Sequence, residues 1–161
     1  MIPMNLKERR FLVTGGAGFI GSHLVDSLMN HGAVVTVLDN LSNGSRENLS
    51  QWIGRPNFSF LVGDCLSRED IEKAIQDCDI VFHLAANPDV RAGKLDTRID
   101  LEQNLIATHS VLEQMRKTET AKKMVFTSSS TVYGEATVIP TPENYGSLQP
   151  ISLYGASKLA C

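Results

Sequence analysis

A phenol and an ammonium stand close together near the C-terminal end of the chain. In Tyr154-Gly155-Ala156-Ser157-Lys158 they are four residues apart, and on a helix that spacing puts both on one face. A free tyrosine ionises near ~10, too high for a base at neutral pH. An ammonium close by favours the charged phenolate, and the same ammonium can hydrogen-bond the ribose of a nicotinamide. The pair thus makes a general acid/base beside a hydride acceptor. The bland alternative is a surface tyrosine lying along a lysine stem. Upstream, Thr127-Ser128-Ser129-Ser130-Thr131 comes directly after an apolar run. Hydroxyls at the end of a strand can face a substrate and bond the hydroxyl whose proton Tyr154 takes. The alternative is a polar turn satisfied by its own backbone.

A hydride acceptor needs a cradle, and one is written near the N-terminus. Thr14-Gly15-Gly16-Ala17-Gly18-Phe19-Ile20-Gly21 places glycines at 15, 18 and 21. The first suits a tight strand-to-helix turn, the middle one lets a pyrophosphate approach the backbone, and the last lets helix and strand pack closely. The helix N-terminus then offers free N–H groups to phosphate. Asp39 ends the next apolar run, 24 positions after Gly15, near the spacing of a ribose-binding carboxylate. Its charge would accept from a 2′-hydroxyl and repel a 2′-phosphate, which favours NAD over NADP. The alternative is a packing turn with Asp39 capping the next segment. Asp64, after the third run, is placed to reach an adenine amino group, or is an ordinary turn residue. Small side chains in Leu84-Ala85-Ala86 would let backbone lie against the dinucleotide. His83, inside an apolar run, reads as a hydrogen-bonded core histidine. The four histidines show no metal spacing, so no metal is expected.

These residues need a scaffold. Short apolar runs at Phe11–Val13, Val34–Leu38, Phe58–Val62, Ile80–Leu84 and Met124–Phe126 are nearly continuous, as in a parallel sheet covered on both faces. Between them, Ile20, Leu24 and Leu28 share one helical face, and Gly32 suits a left-handed helix cap. Ser67 and Asp70 form a capping-box pattern. Leu101, Leu105, Thr108, Leu112 and Met115 step by four and three along a long helix from about 96 to 117. Another helix starts near Ser152. The segments 40–54 and 134–149 read as loops, the first with a short helix. The fold class is therefore α/β, a Rossmann-type doubly wound parallel sheet.

Composition excludes several classes. The 161 residues are 42% hydrophobic and carry a net charge of −3, so neither disorder nor a nucleic-acid footprint is expected. No apolar run approaches a membrane span, and residues 1–10 lack a signal-peptide core. The three cysteines, Cys65, Cys78 and Cys161, fit no disulfide framework. A soluble cytoplasmic protein of one domain is expected.

Together these pieces resemble an extended short-chain dehydrogenase/reductase of the NAD-dependent epimerase/dehydratase family. The matching stretches are Thr14 to Gly21, Asp39-Asn40, Gly63-Asp64, His83 to Ala86, Asn104, Ser128 to Gly134 and Tyr154 to Lys158. The resemblance, greatest to nucleotide-sugar 4-epimerases, implies catalytic Ser129, Tyr154 and Lys158. It implies NAD contacts from Gly15, Gly18, Phe19, Ile20, Gly21, Asp39, Asn40, Asp64, Cys65, Leu84, Ala85, Ala86, Asn104, Thr127, Tyr154 and Lys158. Substrate contacts would come from Asn87, Arg91, Ser129, Ser130 and Thr131, although a solvated loop arginine is an equal reading of Arg91. The implied substrate is a nucleotide sugar of the UDP-hexose type, and the implied assembly a homodimer.

Dehydratases of the family carry an acid pair where this chain has Ser130 and Thr131, and glucuronate decarboxylases an acid at the second of those positions. Neither reaction is expected here. Family members continue past position 161 into a C-terminal substrate-binding region. The expectation is thus an incomplete NAD-binding Rossmann domain over residues 1–161, without the substrate domain and inactive by itself. Other readings are a ketosugar reductase, an epimerase of different substrate choice, or a non-catalytic NAD-binding module.

Overall fold

The computed structural model describes residues 6–161; the reading of the N-terminus falls partly on residues 1–5, outside the described residues. Five strands form, β1 (Arg10–Thr14), β2 (Val34–Asp39), β3 (Phe58–Val62), β4 (Ile80–His83) and β5 (Lys123–Phe126). All neighbours are parallel, in the order β3-β2-β1-β4-β5. This is the Rossmann order, reversing between β1 and β4, and ligands of such sheets sit at that reversal, beyond the carboxyl ends of the strands.

The central strand explains its own sequence. Phe11, Leu12 and Val13 are all essentially inaccessible, so the strand is apolar without alternation because both its faces are covered. Phe11 and Val13 join Val25, Leu28, Met29, Val35, Val37, Leu49, Phe58 and Ile80 in one cluster. At the start of β1 and β4 a buried thiol serves both strands. Cys78 Sγ accepts from the Leu12 amide at 3.2 Å and donates to the Ile80 carbonyl at 3.0 Å. Burial pushes this thiol up to about 11.

The helices are α1 (Phe19–Asn30), α2 (Arg68–Ala74), a single turn α3 (Arg98–Asp100), α4 (Ala107–Lys117) and α5 (Leu153–Ala160). Gly32 comes after α1 at a φ of 75°, the left-handed cap expected of it. Ile20 does not join the buried face of α1; it is 66% exposed, and Gly21, Ser22, Val25, Leu28 and Met29 face inward instead. The Ser67 hydroxyl caps α2 by accepting from the Asp70 amide. Asp70 does not return the bond as a capping box would; its carboxylate accepts from the Asp64 amide at 3.0 Å.

The expected uniform helix between 96 and 117 is interrupted. Between α3 and α4, Leu101–Ile106 is π-helical, an insertion that shifts which face points inward. Leu101 and Leu112 are consequently 46% and 45% exposed, while Asn104, Ala107, Thr108, Val111 and Gln114 are buried. Among the described residues no helix is long and apolar enough to cross a membrane.

The chain divides into two compact units, one of residues up to 85 with 110–126, the other of 86–109 with 127–161. The first holds the whole sheet. The second buries the polar residues Asn87, Asp100, Asn104, Thr108, Ser157 and Lys158.

Leu12, at 0% exposure, tests the two-faced core. Leu12→Ala should cost roughly 2–5 kcal/mol, as cavity-forming core truncations do, read as a lowered midpoint in urea unfolding. A shift worth less than ~1 kcal/mol would show that the centre of the sheet is loosely packed.

Candidate functional site

The glycine turn is built by what it lacks. Gly15 adopts a φ of 69°, and a Cβ there would stand 2.7 Å from the Ala85 amide nitrogen and 3.0 Å from the Leu84 carbonyl carbon. The end of β1 therefore lies directly against the chain leaving β4, at the reversal of strand order. At Gly21 a Cβ would collide with the Gly15 carbonyl oxygen, so the first turn of α1 rests on the turn before it. Gly18 differs. A Cβ there would meet only the Gly15 oxygen, at 3.3 Å, which leaves its outer side open to a ligand. Gly18 caps α1 without a side-chain bond, and no acidic residue occupies the first turn. The N–H groups of that turn thus keep their positive dipole end for an anion.

Buried polar groups hold this turn in place. Thr14 Oγ1 accepts from the Ala85 amide at 3.2 Å and lies 2.7 Å from His83 Nδ1. His83 is fully buried and stacks on Phe126, a core histidine as expected. The Asp39 carboxylate accepts from the Ala17 amide at 2.9 Å with one oxygen and from the Leu41 amide at 2.8 Å with the other. The expected ribose ligand is therefore also a structural tie. Each carboxylate oxygen has a second lone pair, so these bonds leave acceptor capacity for a hydroxyl. Asn48 adds a bond to the Ala17 carbonyl at 2.8 Å.

Asp64 sits at the mouth of β3, accepting from the Leu66 amide at 2.8 Å and from Asn40 Nδ2 at 2.9 Å. The turn-residue reading and the pairing of Asn40 with Asp64 are both visible. Cys65 is buried, and burial, with the Asp64 charge beside it, pushes its thiol up to about 12. Phe19 is 80% exposed, its ring tilted against that of His23 with centroids 4.9 Å apart. These features fit a dinucleotide, with an uncapped helix end for the pyrophosphate and carboxylates for ribose and adenine.

The hydroxyl and phenol residues form a second group. Ser129 caps a 3-10 turn over Ser130–Tyr133, its Oγ accepting from the Thr131 amide at 3.3 Å and from Thr131 Oγ1 at 3.0 Å. The bland reading of this stretch, a turn bonded to itself, is thus partly realised. Ser130 is exposed. Ser152 caps α5, and a Cβ on Gly155 would stand 2.8 Å from the Thr131 carbonyl oxygen. The missing side chain next to Tyr154 lets α5 seat against the serine turn. Lys158 is buried with its Nζ 3.0 Å from the Thr127 carbonyl and 6.0 Å from the centre of the Tyr154 ring. Burial holds its ammonium below the usual lysine range.

Behind this group lies a network of which the sequence signals Asn87 and Asn104 but not Ser157. Asn104 accepts from the Asn87 amide at 3.1 Å and donates to Ser157 Oγ at 2.8 Å, which in turn donates to the Tyr154 carbonyl at 2.8 Å. Asp100 Oδ1 accepts from Asn87 Nδ2 at 3.1 Å. Asp100 Oδ2, against Gly93, is the one buried side-chain atom without a hydrogen-bond partner among the described residues. Asp100 lies four residues before Asn104, so helical spacing alone could have paired them. Arg91 is exposed and pairs with Asp89 at 3.7 Å. Ala86 is half-buried.

A family model described as the NAD dependent epimerase/dehydratase family matches residues 11–161. The chain is 40% identical over 161 residues to the bifunctional UDP-glucose 4-epimerase and UDP-xylose 4-epimerase 3 of Arabidopsis thaliana, covering 94% of this chain and 45% of that protein. It is 38% identical over 147 residues to UDP-glucuronic acid decarboxylase 3 of the same plant, covering 89% and 41%. The crystal structure of Thermus thermophilus UDP-glucose 4-epimerase in complex with NAD superposes with a TM-score of 0.83 at 38% identity, covering 94% and 48%. The chain spans about half the length of these relatives.

The glycine turn and the buried thiols each yield an expected outcome. In a helix, alanine is favoured over glycine by about 1 kcal/mol, yet Gly21→Ala should lower the melting temperature and weaken NAD binding in a fluorescence titration. Unchanged binding would mean that α1 can lift from the turn without consequence. At mildly alkaline pH a thiol reagent should modify Cys161 and spare the buried Cys65 and Cys78 in the native chain, with all three reacting in denaturant. Native labelling of Cys65 as fast as Cys161 would contradict its burial.

Proposed function

We propose a function from one settled premise: the chain belongs to the NAD dependent epimerase/dehydratase family. The family's cofactor is NAD, and the proposed activity is that of a nucleotide-sugar 4-epimerase acting on a UDP-hexose of the glucose/galactose type. Gly15, Gly18, Gly21, Asp39 and Asp64 would hold the NAD, which supplies a reversible hydride acceptor and is not consumed. Tyr154 takes the proton of the sugar C4 hydroxyl as that carbon is oxidised. Ser129 bonds the same oxygen and orients it. The 4-keto sugar turns over in the site, and Tyr154 returns the proton when the opposite face is reduced. Lys158 supplies a fixed positive charge beside the phenol and a donor for the nicotinamide ribose.

The observation that carries this reading is the seating of α5. Gly155 packs on the Thr131 carbonyl and Lys158 bonds that of Thr127, which supports reading the helix that bears the phenol and ammonium together with the serine turn. A dinucleotide-sensing module has no need of such an assembly. The decarboxylase relative supports a second reading, release of carbon dioxide from a UDP-glucuronate. The side chains at 129–131 are all hydroxyls, which cannot act as the carboxylic acid of an acid-dependent step.

Tyr154→Phe in the intact natural protein should keep NAD and lose UDP-glucose to UDP-galactose interconversion by about 10²–10⁴-fold, the worth of a positioned acid/base. Undiminished turnover would exclude Tyr154 as the acid/base. Carbon dioxide release from UDP-glucuronate by the unaltered protein would select the second reading.

A further inference from the structure

We infer that Thr131 is a positioning residue that fixes Ser129 as a hydrogen-bond donor, so that Ser129 holds the sugar oxygen without carrying its proton. The inference deepens the epimerase reading and rests on it. A serine hydroxyl has one proton to donate and two lone pairs that accept. Both acceptor positions of Ser129 Oγ are taken by one residue, through the Thr131 amide at 3.3 Å and Thr131 Oγ1 at 3.0 Å. Among the described residues none accepts the Ser129 proton. The hydroxyl can therefore bond a sugar oxygen only by donating to it. A serine that relays a proton must accept one as it gives one up, and here the accepting positions are filled.

This lock is held from two directions. Ser129 is extended, with φ −151° and ψ 148°, and opens the 3-10 turn that carries Thr131. On the far side the Thr131 carbonyl packs against Gly155, so the backbone that carries the threonine, and with it the amide bonded to Ser129 Oγ, cannot move without displacing the start of α5. The proposed reaction is constrained in two ways. The proton of the sugar hydroxyl passes directly to Tyr154, and Ser129 donates to the sugar oxygen both before and after that transfer. The donation strengthens as the oxygen gives up its proton and gains negative charge in the transition state, so its loss shows in kcat more than in KM.

The test is a double-mutant cycle in the intact natural protein with NAD bound, read as kcat and KM for UDP-glucose to UDP-galactose interconversion with melting curves alongside. Thr131→Val keeps the shape and removes the hydroxyl, and should lower kcat roughly 5- to 20-fold, the scale of one lost hydrogen bond, with KM within about twofold. Thr131→Ser should restore kcat to within about twofold. In a Ser129→Ala background Thr131→Val should add less than about twofold, because Thr131 acts only through Ser129. A purely structural threonine would give the same loss in both backgrounds, and that result overturns the inference. So does an unaffected Thr131→Val beside an impaired Ser129→Ala, which leaves the epimerase reading standing. An unimpaired Ser129→Ala overturns both the inference and the use of Ser129 in that reading. Should Thr131→Val fail to give a native melting curve, Thr131→Ala carries the same comparison.

Discussion

Gly15 and Gly21 have no room for a side chain, and the turn that opens the first unit is arranged around them. At Gly15 the backbone leaving β1 touches the backbone leaving β4, and at Gly21 the first turn of α1 touches Gly15 itself. Those approaches set where the helix begins and bring its uncapped N–H groups to the reversal of strand order. The polar residues nearby serve the same constraint. Thr14 bonds the chain beyond β4, and Asp39 bonds the turn from β2. A backbone brought this close must have its donors and acceptors paired, and a hydroxyl and a carboxylate, both buried, do that pairing.

The second unit solves a different problem with the same means. Its interior is organised by amides and hydroxyls, and the chain Asn87–Asn104–Ser157–Tyr154 links three segments far apart in sequence. Such a network specifies geometry only when every member is bonded. The exception, Asp100 Oδ2, lies beside the π-helical stretch that turns Asn104 inward. Irregular helical hydrogen bonding concentrates at functional sites, and here it faces the α5 helix that bears the tyrosine and lysine.

Legibility in the sequence depended on whether the signal was periodic. The strands were legible because both faces of the sheet are buried, so their residues are apolar without interruption. The glycine turn was legible because only glycine satisfies its geometry. Ile20 misled because it keeps the helical spacing of Leu24 and Leu28 while standing at the open end of α1, where 66% of its surface stays exposed. Leu101 and Leu112 misled for a related reason: their spacing presumed a regular helix, and the π-helical stretch rotates the inward face onto Asn104, Ala107 and Thr108. The role of Ser157 is invisible in the sequence, because its bond to Asn104 crosses segments that no local pattern encodes; Asp100 carries only the weak signal of its helical spacing before Asn104. The serine turn has two uses open to it in sequence, and the capping bonds on Ser129 make the backbone use concrete.

The double duty of Asp39 bears on any attempt to alter coenzyme preference. The residue that would discriminate between a ribose hydroxyl and a phosphate is also the acceptor for the amides of Ala17 and Leu41. Replacing it with a neutral or cationic side chain to welcome a phosphorylated coenzyme removes both acceptors at once and leaves two main-chain donors to be satisfied afresh. In the proposed reading selectivity and loop architecture would be coupled at one carboxylate, and a redesign would have to rebuild the segment 40–48 together with the substitution.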